Sequence, residues 1–196
     1  MAVVMAGFMT AAACGAGTTS TTVPDAVSPT TTTQGTQPTF GEDTVLGVLA
    51  ADGRFTFFLE LLQNEASSLM RFLSDQRFNG TLFAPIDEAF AALDAEILGD
   101  LRQQEIGPSQ SGLMVMLQHH VVAGRWRSDQ LRDMQAVGPG ATEPGGGHGG
   151  AITIAMDGDA ILLDGALLSE ADVEASNGVV HVIESVMLTE ELVGSP

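Results

Sequence analysis

Thr81-Leu82-Phe83-Ala84-Pro85-Ile86-Asp87-Glu88-Ala89-Phe90 is the stretch that decides how this chain is read. Thr81–Ala84 follows the turn signal Asn79-Gly80 and predicts a short core strand. Pro85 stops that strand, because proline has no N–H to give a ladder. Asp87 and Glu88 then open a helix, with acidic side chains in the first turn, where the helix dipole favours them. Asp87 is the expected cap of that helix.

Upstream of this stretch the pattern is helical. Asp43-Thr44 caps a predicted short helix through Val45, Leu46, Val48 and Leu49, ended by Asp52-Gly53. Phe55, Phe58, Leu59 and Leu62 recur at helical spacing, and Leu69, Phe72 and Leu73 form another short apolar face. Downstream, Ile97, Leu98 and Leu101 continue the helix of Asp87 toward Gly107-Pro108, and Leu113–Leu117 predicts a buried helix leading to His119-His120.

After His120 the period changes. Val121-Val122 predicts a strand before Gly124, and Ser128-Asp129 caps a predicted short helix carrying Leu131 and Met134. Gly138–Gly150 holds seven Gly and two Pro and reads as a flexible loop. Ile152–Ile154 alternates, Asp157-Gly158 marks a hairpin turn, Ile161–Leu163 pairs back, and Asp164-Gly165 turns again. Val179–Ile183 is the most strand-like run, with Val186-Met187-Leu188 after it. Helices first and hairpin strands later predict an α+β fold with a mostly antiparallel sheet.

The first 39 residues differ from this domain. Met1–Cys14 has twelve apolar residues in fourteen and no charge. That is short of the ~20 needed for a membrane span but suits a secretory signal. Ala11-Ala12-Ala13-Cys14-Gly15 is similar to a bacterial lipobox, in which the Cys after the cut carries lipid; the usual Leu is Ala11 here. The other reading is an ordinary secretory signal cut after an Ala-x-Ala triplet, with Cys14 incidental. The missing basic n-region implies a true start further upstream. Residues 15–39 contain ten Thr and a single charge, Asp25, and are expected to form a disordered tether. As a coil it would span ~25–30 Å. Three units follow: 1–14 signal and lipobox, 15–39 tether, 40–192 domain.

Charge and composition limit function. The 196 residues carry 25 acidic and seven basic side chains, a net −18, and every basic residue is Arg. Nucleic acid is excluded as a partner, since phosphate binding needs clustered Lys and Arg. The domain holds 24 of the acidic residues and all seven Arg, so the acidity belongs to its surface. Catalytic motifs are missing from the sequence. Gly107–Ser111 fails GxSxG at its last position, there is no HExxH, and the only Cys lies outside the domain. Asp157-Gly158-Asp159 begins like a calcium loop but lacks the later ligands, and His148 has no identifiable metal-binding partners. No cofactor or metal is expected. His120 and His181 lie in apolar runs and read as neutral, hydrogen-bonded core residues, and Asn177-Gly178 as a positive-φ turn.

Three segments together resemble the fasciclin domain. Thr81–Phe90 is similar to its T-F-A-P-T-D-x-A-F box, His119-His120-Val121-Val122-Ala123-Gly124 to its Y-H-V-V-x-G element, and Asn177-Gly178-Val179-Val180-His181-Val182-Ile183 to its N-G-V-I-H-V-I-D box. Ile86, His119 and Glu184 depart from the usual Thr, Tyr and Asp. The resemblance implies a wedge of antiparallel strands packed with several helices. It marks Pro85, Asp87, His120, Asn177, Gly178 and His181 as motif residues. It implies a non-enzymatic adhesion or binding domain, displayed outside the cell, whose partner is an extracellular matrix or cell-surface protein or glycan. Asp172-Val173 and His119-His120 match positions linked to integrin binding in animal members. With Cys14 lipidated, the domain would be anchored to a bacterial membrane. The alternative is a periplasmic or extracellular accessory protein that binds a small molecule or lipid.

Overall fold

The computed structural model describes residues 41–106, 110–137, 150–189 and 192. The expected signal, the Cys14 lipobox, the tether and nearly all of the Gly-rich loop with His148 lie outside the described residues.

Three helices lead. They are α1 (Val45–Asp52), α2 (Thr56–Asn64) and α3 (Ser67–Ser74). The Thr44 hydroxyl caps α1 by accepting from Gly47 N–H at 3.2 Å, and Gly53 ends it with φ +81°. Strand β1 (Gly80–Pro85) follows, with all six residues buried. The helix expected from Asp87 onward is broken into α4 (Asp87–Ala91) and α5 (Ala95–Gln103). Asp94 restarts it by accepting from Glu96 N–H at 3.1 Å, so a local cap interrupts what apolar spacing alone reads as continuous. Instead of running helically to Gly107, the chain makes β2 (Glu105–Ile106), paired with β3 (Gln110–Ser111). Helix α6 (Gly112–His119), β4 (Val121–Ala123) and α7 (Ser128–Arg132) come next. Strands β5 (Ala136–Val137), β6 (Ile152–Asp157), β7 (Ala160–Leu163), β8 (Ala166–Ala175) and β9 (Gly178–Ile183) follow.

The fold is α+β, with seven helices among the described residues and a seven-stranded sheet in the order β4-β1-β9-β8-β7-β6-β5. Every pairing in it is antiparallel except β1 with β9, which run parallel from Gly80↔Gly178 to Pro85↔Ile183. These two strands are buried throughout, which explains their near-continuous apolar sequences.

Alternation along the central strands divides the interior. Leu82, Ala84, Val180 and Val182 face the helices, meeting Leu46, Phe58, Leu62 and Leu117. Phe83 and Ile183 face the other way, onto a second cluster with Val122, Leu131, Ile152, Leu163 and Met187. Val122 of β4 and Val137 of β5 share that second cluster although these strands lie at opposite edges of the sheet. The sheet therefore curls back on itself.

Strand β8 is long and irregular. Its register against β9 shifts between Leu168 and Glu170 and again between Glu170 and Val173, and Asp172 sits at φ +60°. The β7–β8 turn places Asp164 and Gly165 at φ +48° and +84°, the two positive values of a type I′ hairpin.

Candidate functional site

The third motif segment lies on β9, and its histidine is tied to the irregular part of β8. The Asp172 N–H donates to His181 Nδ1 at 3.2 Å, so that nitrogen is unprotonated, and His181 Nε2–H donates to the Trp126 carbonyl at 2.7 Å. The ring is fully buried and stacks on Phe83, centroids 5.5 Å apart. Burial pushes the His181 pKa down, outweighing the Trp126 carbonyl and the Asp172 charge. The Asp172 carboxylate turns toward α7. It accepts the Ser128 N–H at 2.8 Å and the Ser128 hydroxyl at 2.5 Å. Burial would raise its pKa, but these two bonds, with His181 and Arg127 nearby, hold it below the ordinary value. Asp172 thus caps α7, whose first residue is Ser128, from strand β8. Ser128 was expected to be the cap and is instead the capped residue. Val173 is half-buried against the helix-side core.

The second motif segment ends α6. His119 is the last helical residue and His120 follows it, so the pair lies at a helix terminus. Both are fully buried. His120 Nδ1–H donates to the Met116 carbonyl at 2.7 Å, and its Nε2 accepts from Met187 N–H at 3.2 Å. This is the opposite tautomer to that of His181. Burial drives the His120 pKa down to about 4. His119 Nε2 lies 2.7 Å from Asp164 Oδ2, while Asp164 Oδ1 accepts from Thr153 N–H at 2.8 Å. Burial would raise Asp164, yet the bonds from His119 and Thr153 keep it low. The β7–β8 turn is thereby fastened to the end of α6.

The first motif segment caps a neighbour as well. Asp87 is the first residue of α4, but its carboxylate accepts from Thr56 N–H at 3.2 Å and Phe57 N–H at 2.8 Å, the opening turn of α2. The expectation that it caps its own helix is corrected: α4 has no side-chain cap. The Arg54 carbonyl accepts the Asp87 N–H at 2.9 Å, which turns the carboxylate onto α2. Pro85 is the last residue of β1, opposite Ile183.

Asn177 is 1% exposed. Its Oδ1 accepts from Val45 N–H at 2.8 Å, and its Nδ2 donates to the Leu73 and Asp75 carbonyls, each at 2.9 Å. One amide therefore joins the start of α1 to the end of α3. The positive-φ expectation for Asn177-Gly178 is corrected too, since neither residue has a positive φ. Glycine is required at 178 by crowding: a Cβ there would meet the Gly80 carbonyl oxygen at 2.7 Å and Val45 Cγ1 at 2.8 Å.

Three of these side chains, Asn177, Asp87 and Asp172, cap α1, α2 and α7 from elsewhere in the chain. The predicted residues fall into separate places. Asp172 meets His181, His119 meets Asp164, and His120 lies against Phe58 and Met187. Sequence reasoning missed Trp126, Ser128 and Asp164 as partners. The Asp164-Gly165 turn signal located the third, but nothing local points to its contact with His119. Asp157-Gly158-Asp159 is the β6–β7 hairpin turn, with Gly158 at φ +61°.

Residues 53–189 match the family model described as the Fasciclin domain. The protein sll1483 of Synechocystis sp. is 32% identical over 141 residues, covering 72% of each chain. Among solved structures, a FAS1 domain pair from the insect cell adhesion molecule Fasciclin I superposes with a TM-score of 0.57 at 17% identity. The match covers 77% of this chain and 52% of that one, so this chain spans about half the length of the solved pair. The fold, the motif segments and these likenesses agree, and the chain belongs to the fasciclin domain family.

Proposed function

We propose that this chain is a surface-displayed, non-catalytic adhesion or binding module. Its partner is an extracellular matrix or cell-surface protein or glycan. One observation carries the reading: the polar atoms of the motif residues are engaged in joining elements. Asp87 and Asn177 cap helices, and both ring nitrogens of His120 and His181 bond backbone groups. The motifs hold the scaffold, which leaves recognition to its acidic surface. Asp172 and Val173 are partly exposed and are the surface members of the predicted binding set, whereas buried His119 and His120 would contribute by positioning. Lipidation of Cys14, with residues 15–39 as tether, would hold the domain at a bacterial membrane. The insect neighbour is itself a cell adhesion molecule, which favours the same class of function. The test is binding of the full chain to arrays of cells, matrix proteins and glycans, alongside Asp172→Asn. Retention on none of them overturns the reading. Unchanged membrane partitioning of Cys14→Ala removes the anchor.

A second reading, a small-molecule-binding accessory protein, is favoured by an apolar groove of about 560 Å³ between α2, α4 and α5. That volume lies within the usual range of ligand sites.

A further inference from the structure

We propose that the groove between α2, α4 and α5 binds a small amphiphilic cation, its apolar body seated on Phe57, Phe90 and Leu98 and its ammonium against Glu60. The proposal rests on the small-molecule reading and names the ligand's chemistry.

The walls are apolar. Phe57, Phe90, Ala91, Leu93, Ala95 and Leu98 line the groove, and the Phe57 and Phe90 rings stand 4.9 Å apart at 48°. Aromatic faces attract cations as well as apolar groups. The polar lining comprises Thr56, Glu60 and Asp87, with no basic side chain.

Charge selects among apolar ligands. The start of α2, of α4 and of α5 all border the groove, at Thr56, Asp87 and Ala95. Helix N-termini by themselves would favour an anion. Here each is already met by carboxylates. Asp87 accepts from the first two N–H groups of α2, Asp87 and Glu88 sit in the first turn of α4, and Asp94 caps α5. Glu60 remains as an exposed carboxylate on the rim, with no ion-pair partner among the described residues. The stretch 87–96 adds Asp87, Glu88, Asp94 and Glu96 without one basic residue. A carboxylate-bearing ligand such as a fatty acid would meet repulsion there, and a cation would be drawn in.

The probes share a phenyl ring on four methylenes and differ in the charge of the end group: 4-phenylbutylammonium, 4-phenylbutan-1-ol and 5-phenylpentanoate, titrated calorimetrically into the full chain. The ammonium should bind about threefold or more tighter than the alcohol, the scale of one partly screened charge contact. The carboxylate should bind weakest. Glu60→Gln should remove the preference for the ammonium and leave the alcohol unchanged. Ala95→Phe, at an exposed position in the groove wall, should weaken all three by about tenfold or more. If the alcohol or the carboxylate binds as tightly as the ammonium, the cation proposal fails while the small-molecule reading stands. If none of the three binds, both fail. Ammonium binding that is unchanged in both variants places the ligand elsewhere and overturns the site.

Discussion

The Asp87 carboxylate accepts the Phe57 N–H at 2.8 Å, so the residue that opens α4 caps α2. The first turn of a helix has N–H groups that no intrahelical carbonyl reaches. Satisfying them from another element ties helix formation to tertiary assembly: α2 gains its cap only when β1 and α4 are in place.

Asp87→Ala removes the acceptor for two N–H groups at once. A stability loss of about 1–2 kcal/mol is expected, the upper range for a cap. Asp87→Asn keeps one acceptor oxygen and should lose less. Urea unfolding measures both, as lower midpoints at an unchanged slope. An Asp87→Ala midpoint equal to that of the parent would mean that water replaces the cap at no cost.

Asn177 is a harder test, because its amide faces one donor and two acceptors in the interior. Asn177→Ala leaves all three backbone groups without their partner, and each unsatisfied group costs about 1–3 kcal/mol. Asn177→Asp has the same shape but turns a carboxylate oxygen toward the Leu73 and Asp75 carbonyls. Its loss at neutral pH should equal or exceed that of Asn177→Ala. An aspartate variant as stable as the parent would show that shape, rather than donor placement, matters at this position.

Gly178 and Gly165 separate two reasons for glycine. Gly178→Ala drives a methyl into the Gly80 carbonyl at a backbone angle any residue adopts, and about 1–3 kcal/mol of overpacking cost is expected. Gly165 has φ +84° and open space around it, so Gly165→Asn should cost less than about 1 kcal/mol, since asparagine tolerates the left-handed region. Equal losses in urea melts would refute the distinction.

These same residues mark how far the sequence could be read. Local signals were legible: the Thr44 cap and Gly53 stop of α1, the apolar stripe of α2, the β6–β7 hairpin and the buried run of β9 all fold as their patterns predict. Long-range relations were not. Asp87, Ser128 and Asn177 stand where local rules expect a cap or a turn, yet each acts on, or is acted on by, a segment at least thirty residues away. Strand β8 escaped notice because two register shifts and the positive φ of Asp172 break its alternation. The parallel pairing of β1 with β9 has no sequence signal short of the whole topology. The candidate groove is assembled from three helices and was equally invisible.

Stability should fall in two stages as the solution is acidified. His120 is buried neutral with its pKa pushed down to about 4, and His181 is shifted in the same direction. In the unfolded chain both titrate near ~6.5. Between these values the unfolded state binds more protons, so stability is complete above ~6.5 and declines as pH drops toward 4. The His120 contribution is on the order of a few kcal/mol. Asp164 and Asp172 act later. Their folded pKa values lie below the ordinary 3.8, so their contribution holds at neutral pH and disappears only as pH falls through those lowered values. His120→Asn separates the stages. Asparagine can still donate to the Met116 carbonyl but cannot titrate, so the variant should be weaker at pH 7 and lose less between pH 6.5 and 4. Urea midpoints measured across that interval decide the matter. A parent profile that stays flat from 6.5 to 4 would mean that neither histidine is held neutral in the folded protein.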